Sequence, residues 1–139
     1  MATGTAGSTA KRVHGPVVNV IRKNITYNNP GTTVAMTVGV VPAGAVITGV
    51  WAVVITAFDD TGTDLLDIYV TTNSGTTQFM SGVSLATVGL LLAADDIATQ
   101  TVSYSASEQT ISAVYTGSNA NATAGSADII IQFVTDGAS

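Results

Sequence analysis

The sequence predicts an all-β fold, a β-sandwich or jelly roll of about eight short antiparallel strands preceded by a flexible N-terminal arm. Runs rich in Val, Ile and Thr recur along the chain, and each is closed by a cluster of Gly, Pro, Asn or Asp. No long helical stripe competes with them. No self-similarity at a period of about 20 to 50 residues points to a solenoid or propeller.

Residues 1–12, MATGTAGSTAKR, are small, polar and rich in Gly and Thr. Such a segment buries too little apolar surface to offset its ordering entropy, so it is expected to be the arm, with one sandwich domain over residues 13–139. A first strand starts near Val17 in PVVNVIRKNITYNN and ends at the turn Asn28-Asn29-Pro30-Gly31. TTVAMTVGVV is a second strand, closed by Pro42-Ala43-Gly44. Residues 45–58 form the longest apolar stretch, and their β-branched content favours a strand over a helix. Within it Gly49 predicts a bulge or a close backbone approach. Alternation would put Trp51, Val53, Ile55 and Ala57 on one face and Val50, Ala52, Val54, Thr56 and Phe58 on the other.

An acidic turn over residues 59–64 leads into the strand LLDIYVTT, and Asn73-Ser74-Gly75 turns the chain into TTQFM as a hairpin. SGVSLATVGLLLAADDIATQ is ambiguous. Leu85, Val88, Leu91 and Leu92 fall at short helical spacing while Gly82 and Gly89 interrupt them, which predicts a loop with a helical turn. TVSYS and QTISAVYTG then read as two strands separated by Ala106-Ser107-Glu108, and the loop GSNANATAGS precedes the last strand, ADIIIQFVT.

Charged residues make up 9 % of the 139, against about 25 % in an average globular protein. Solubility therefore rests on Thr, Ser and Asn. Every apolar run is cut short of the about 20 residues a spanning helix needs, so no membrane partner is expected. MATGTAGSTAKRVHG lacks the apolar segment of about 7 to 15 residues that marks a secretory signal. The absence of Cys rules out disulfides and thiolate metal sites and suits synthesis in a reducing cytoplasm. Lys11, Arg12, Arg22 and Lys23 are the only basic residues, whereas all carboxylates lie at or beyond Asp59. An acidic body repels phosphates, so no nucleic-acid partner is expected. The basic head reads either as a solvated tail plus a strand edge or as a contact for an acidic partner surface.

General acid–base or nucleophilic chemistry has little to start from: His14 is the one histidine, no Cys exists, and no G-x-S-x-G accompanies it. No catalytic residue is assigned. Asp59, Asp60, Asp64 and Asp67 are the candidate metal ligands, since clustered carboxylates around a Gly turn can wrap Ca²⁺. Their spacing departs from the EF-hand loop, and the competing reading is an acidic turn whose Asp side chains bond their own backbone. Asp95-Asp96 reads as another turn. Phosphate-cradling and dinucleotide motifs are missing, so no cofactor is expected. Asn24-Ile25-Thr26 and Asn121-Ala122-Thr123 match the glycosylation pattern but lack an export signal to give it meaning. Trp51, Tyr69, Tyr104, Tyr115 and Phe133 fall in predicted strands, as core or subunit contacts rather than a carbohydrate-stacking platform.

The run Val41-Pro42-Ala43-Gly44-Ala45-Val46-Ile47-Thr48-Gly49-Val50 resembles the PAGA-x-x-T-G-V stretch of small virion proteins of tailed bacteriophages. The resemblance continues through ITAFDDTGTDLLDI and again over residues 123–133. It implies a capsid decoration, or cement, protein: β-sandwich-like, often trimeric, seated over junctions of the major capsid protein on the virion surface. It carries over no catalytic residues. Lys11, Arg12, His14, Arg22 and Lys23 are then the expected capsid contacts. Head-fibre or tail components that bind a receptor or glycan, and tail-tube or terminator proteins, share this composition and are the alternatives.

Overall fold

The computed structural model describes residues 17–72, 75–92 and 104–135, and places eight strands within them. These are β1 (Val17–Thr26), β2 (Ala35–Val41), β3 (Val46–Thr56), β4 (Asp64–Thr72), β5 (Gly75–Ser84), β6 (Gly89–Leu92), β7 (Gln109–Gly117) and β8 (Ser126–Thr135). They form two four-stranded sheets, ordered β1-β8-β3-β6 and β2-β7-β4-β5, with every pairing antiparallel. The pairing is nested. β4 pairs with β5, β3 with β6, β2 with β7 and β1 with β8, so the chain is one long hairpin closed at the β4–β5 turn. Rolling that hairpin brings β8 against β3 and β7 against β4. The result is the eight-stranded jelly roll, as the sequence predicts.

The core follows the two-residue period of a strand. Along β8, Ala127, Ile129, Ile131 and Phe133 are buried; β4 contributes Leu66, Ile68 and Val70; β7 contributes Ile111, Ala113 and Tyr115. Each large apolar side chain taken fully out of water stabilises the fold by about 1.5 to 3 kcal/mol. In β3 the buried set is Ile47 and then Val50, Ala52 and Val54, a change from odd to even positions. The β3–β8 register shifts between Ile47 and Gly49, and this bulge turns both halves of the strand to the core. Gly49 is required there, because a Cβ would collide with the Trp51 ring, which lies over it on the outer face.

Residues 81–92 depart from expectation. The loop with a helical turn is replaced by the end of β5, an exposed bend over residues 86–88, and strand β6 paired to β3 through Val53↔Leu90 and Ala52↔Leu91. Leu90 is exposed while Leu91 packs against the core, so the local period is two. The cause is tertiary: the edge of β3 carries backbone N–H and C=O groups that a helical turn would leave unpaired. Of TVSYS, the expected sixth strand, only Tyr104 and Ser105 lie within the described residues, and Tyr104 forms an isolated bridge to Val46. The arm over residues 1–12, Lys11, Arg12, His14, the Asn73-Ser74 turn and Asp95-Asp96 all lie outside the described residues.

Candidate functional site

Two regions collect the polar chemistry and the exposed apolar surface. The first is at the end of the sandwich where β3 passes to β4 and β7 to β8. Thr56 pairs with Ser126, and the Ser118 N–H donates to the Thr63 carbonyl at 3.0 Å, so the two connections run together. Asp59 Oδ1 accepts from the backbone N–H groups of Thr123 at 2.6 Å and Ala124 at 2.9 Å, and its Oδ2 accepts from the Thr123 hydroxyl at 2.6 Å. Asp60 Oδ1 accepts from the N–H of Gly62 at 2.7 Å and Asn119 at 3.1 Å, and its Oδ2 from Asn121 at 3.0 Å. Inside them the Tyr115 hydroxyl donates to Asp64 Oδ1 at 2.7 Å, and its ring lies 4.7 Å, centroid to centroid, from that of Phe58. Gly117 lets the strand pass this cluster, since a Cβ there would stand 2.7 Å from Asp60 Oδ2.

These bonds set the local acidities. The Thr123 hydroxyl, helped by the Ala124 and Thr123 N–H groups, holds Asp59 below the ordinary carboxylate value. Burial acts to raise Asp60, but N–H donors from Gly62, Asn121 and Asn119 outweigh it and leave that carboxyl lowered too. Burial first, and then the hydrogen bond to Asp64, push the Tyr115 hydroxyl well above its usual value. Asp67, further along β4, turns its Oδ1 to the Gly82 N–H of β5 at 2.7 Å. The four candidate metal ligands thus act as acceptors that tie loops and a strand edge together. Among the described residues no group of three or more His, Asp or Glu side chains is placed to hold a metal.

The second region is the outer face of the β1-β8-β3-β6 sheet. Register pairs aligned across it place Val18, Val134, Val46 and Tyr104 in one row, Arg22, Ile130 and Trp51 in another, and Asn24, Asp128, Val53 and Leu90 in a third. Val20 at 58 %, Leu90 at 61 % and Tyr104 at 55 % accessibility show how openly its apolar groups stand. One ion pair interrupts it. Arg22 Nε donates to Asp128 Oδ2 at 2.9 Å while Asn24 Nδ2 donates to Asp128 Oδ1 at 2.8 Å. The Asn24 and then the Arg22 hydrogen bonds hold this nearly buried carboxyl below the ordinary carboxylate value, against the cost of its burial. The opposite sheet turns Thr110, Ser112, Thr116, Thr37 and Asp67 outward together with Leu65, Val114, Tyr69 and Val40, so its surface mixes hydroxyls with apolar groups.

Of the expected capsid contacts, Arg22 is engaged with Asp128 and Lys23 is exposed on β1. Of the aromatic residues, Tyr115 and Phe133 are core, Trp51 and Tyr69 are half-buried on outer faces of opposite sheets, and Tyr104 is exposed. The apolar outer face escaped the sequence reading, although a signal for it exists. In β3 and β8 apolar residues occupy both parities, as in a strand covered on both sides.

No family model matches the sequence, and no curated protein matches it either. Solved structures do resemble the fold. A chain in the acidic stable capsid structure of Helicobacter pylori bacteriophage KHP30 superposes with a TM-score of 0.59 at 16 % identity, over 86 % of this chain and 89 % of that one. A chain in the capsid asymmetric unit of cyanophage Pam1 superposes with a TM-score of 0.53 at 20 % identity, over 96 % of this chain and 91 % of that one. At such identities the likeness is one of fold, and it makes this chain a jelly roll of the kind found, at nearly full length, in two phage capsids.

Proposed function

We propose that this chain is a structural virion protein, a decoration or cement protein that binds the outer surface of a phage capsid and stabilises the shell. One observation carries the reading: the jelly roll matches nearly the whole of each of two chains from phage capsid structures, so the similarity is to chains of comparable size. The partner is the major capsid protein, and the working form is a homo-oligomer, a trimer. The basic head, Lys11, Arg12 and His14 together with Lys23 of β1, supplies the capsid contact, whereas Arg22 is already engaged by Asp128 on the outer sheet face. Adding buried interface only to the assembled shell stabilises it by mass action. No catalytic role, metal or cofactor is assigned.

Purified expanded capsids lacking the protein, mixed with the full chain, test this directly. Stoichiometric co-sedimentation and a raised capsid melting temperature are expected; absence of binding would sink the proposal. Deleting residues 1–12 should lower occupancy and leave the circular dichroism of the chain unchanged. A receptor- or glycan-binding role has one observation in its favour, the placement of Trp51 and Tyr104 on the same sheet face. Saturable glycan binding lost in Tyr104→Ala would establish that role instead.

A further inference from the structure

We infer that the outer face of the β1-β8-β3-β6 sheet is the surface through which copies of this chain associate. The inference concerns free chains, which pair two-fold through this face, and it stands independently of the capsid-bound trimer in the reading above. β3 and β8 carry apolar residues on both faces, and among the described residues no further layer packs on the outer one: Val50, Ala52, Ile129 and Ile131 are in the core, while Trp51, Val53 and Ile130 face outward and are half-buried. Val18, Val20, Leu90 and Tyr104 stand exposed around half-buried Trp51, Val53 and Ile130, and such a concentration of apolar groups marks an interaction site.

Charge selects a second copy as the occupant. The chain carries a net charge of −5, so copies meeting at random surfaces repel. On this face the described carboxylate is Asp128, already paired with Arg22, whereas Asp59, Asp60, Asp64 and Asp67 belong to the loop end and the other sheet. Identical faces can therefore meet without bringing unpaired acids together. Size agrees. Four strands about 4.8 Å apart, rising about 3.3 Å per residue, present roughly 550 Å² in projection, and side-chain relief raises the accessible area above that. Specific interfaces bury about 800 Å² per partner, so this face is large enough to provide most of one. Contact of one patch with its own copy is isologous and closes into a two-fold dimer.

Trp51, the chain's only tryptophan, lies on this face and reports on it. The full chain, without capsids, is followed by sedimentation across concentration together with Trp51 emission and its quenching by acrylamide. Association is expected to raise the mass, shift emission to shorter wavelength and reduce quenching several-fold. Val20→Lys and Leu90→Lys, both at exposed positions, should lower the mass to that of the monomer and abolish the spectral change, with circular dichroism confirming that they fold. Val40→Lys, exposed on the other sheet, should change nothing. A monomer at every concentration overturns the inference, as does an oligomer indifferent to both lysines. A monomer whose Trp51 is already shielded would assign the face to another segment of the same chain. Capsid co-sedimentation is a separate readout, so either conclusion can fail alone.

Discussion

Asp60 and Tyr115 illustrate how single residues at the loop end translate into measurable stability. Asp59, Asp60 and Asp128 are more acidic folded than unfolded, so between their lowered values and the ordinary 3.8 the unfolded chain binds more protons. Their contribution is complete above that range and is lost as pH falls through the folded values. The melting temperature is expected to hold from neutrality to about pH 4 and to drop below it, with Asp60→Asn flattening the drop. Tyr115 has the opposite sign. Its hydroxyl stays protonated in the fold after the unfolded side chain ionises near 10.0, so its contribution is full below that pH and is lost as pH rises beyond it. Tyr115→Phe should cost about 1 to 3 kcal/mol in urea unfolding, because it removes the donor to buried Asp64, and should remove the Tyr115 part of the alkaline loss.

Strands β1 and β8 lie side by side and separate packing from exposure. Ile131→Ala in β8 opens a cavity in the core and is expected to cost about 2 to 5 kcal/mol, whereas Val20→Ala on the outer face of β1 should stay within about 0.5 kcal/mol in urea titrations of the monomer. How far each element could be read from sequence depended on what stabilises it. β7 was legible because alternation and flanking turns are local, and β8 because a β-branched run follows a Gly/Asn-rich loop. The β3 bulge was legible because Gly49 interrupts an otherwise continuous strand. β6 was not, since four residues carry too little pattern and their conformation is decided by the waiting edge of β3. The expected total of eight strands held only because β6 took the place of TVSYS in the described fold. The acidic loop was legible in composition, but its partners sit about 60 residues away, as between Asp60 and Asn121, and no local pattern announces them.

At the scale of the molecule the nested pairing governs how the fold forms. Only β4 with β5 closes through a short connection, while β1 must find β8 across almost the entire sequence. Topologies dominated by such distant contacts fold in roughly milliseconds to seconds. Stopped-flow refolding followed by Trp51 emission should fall in that range, and a microsecond phase recovering the full amplitude would contradict the nested order. The same pairing gathers more of the outward apolar groups on one side of the sandwich and mixes them with hydroxyls on the other, a division invisible until the strand order is known.

The pairing of Val17 with Thr135 places the two ends of the described chain side by side at one pole, away from the acidic loops. Residues 86–88, exposed between β5 and β6, lie at the other pole, where Phe58 donates to the Leu85 carbonyl. The described fold is therefore suited to circular permutation: a linker joining Thr135 to Val17 and a break between Ala86 and Thr87 would preserve every strand pair among the described residues. The same geometry gives a choice of orientation for carried cargo, with fusions made at Val17 or Thr135 emerging at one pole and insertions after Ala86 at the opposite one.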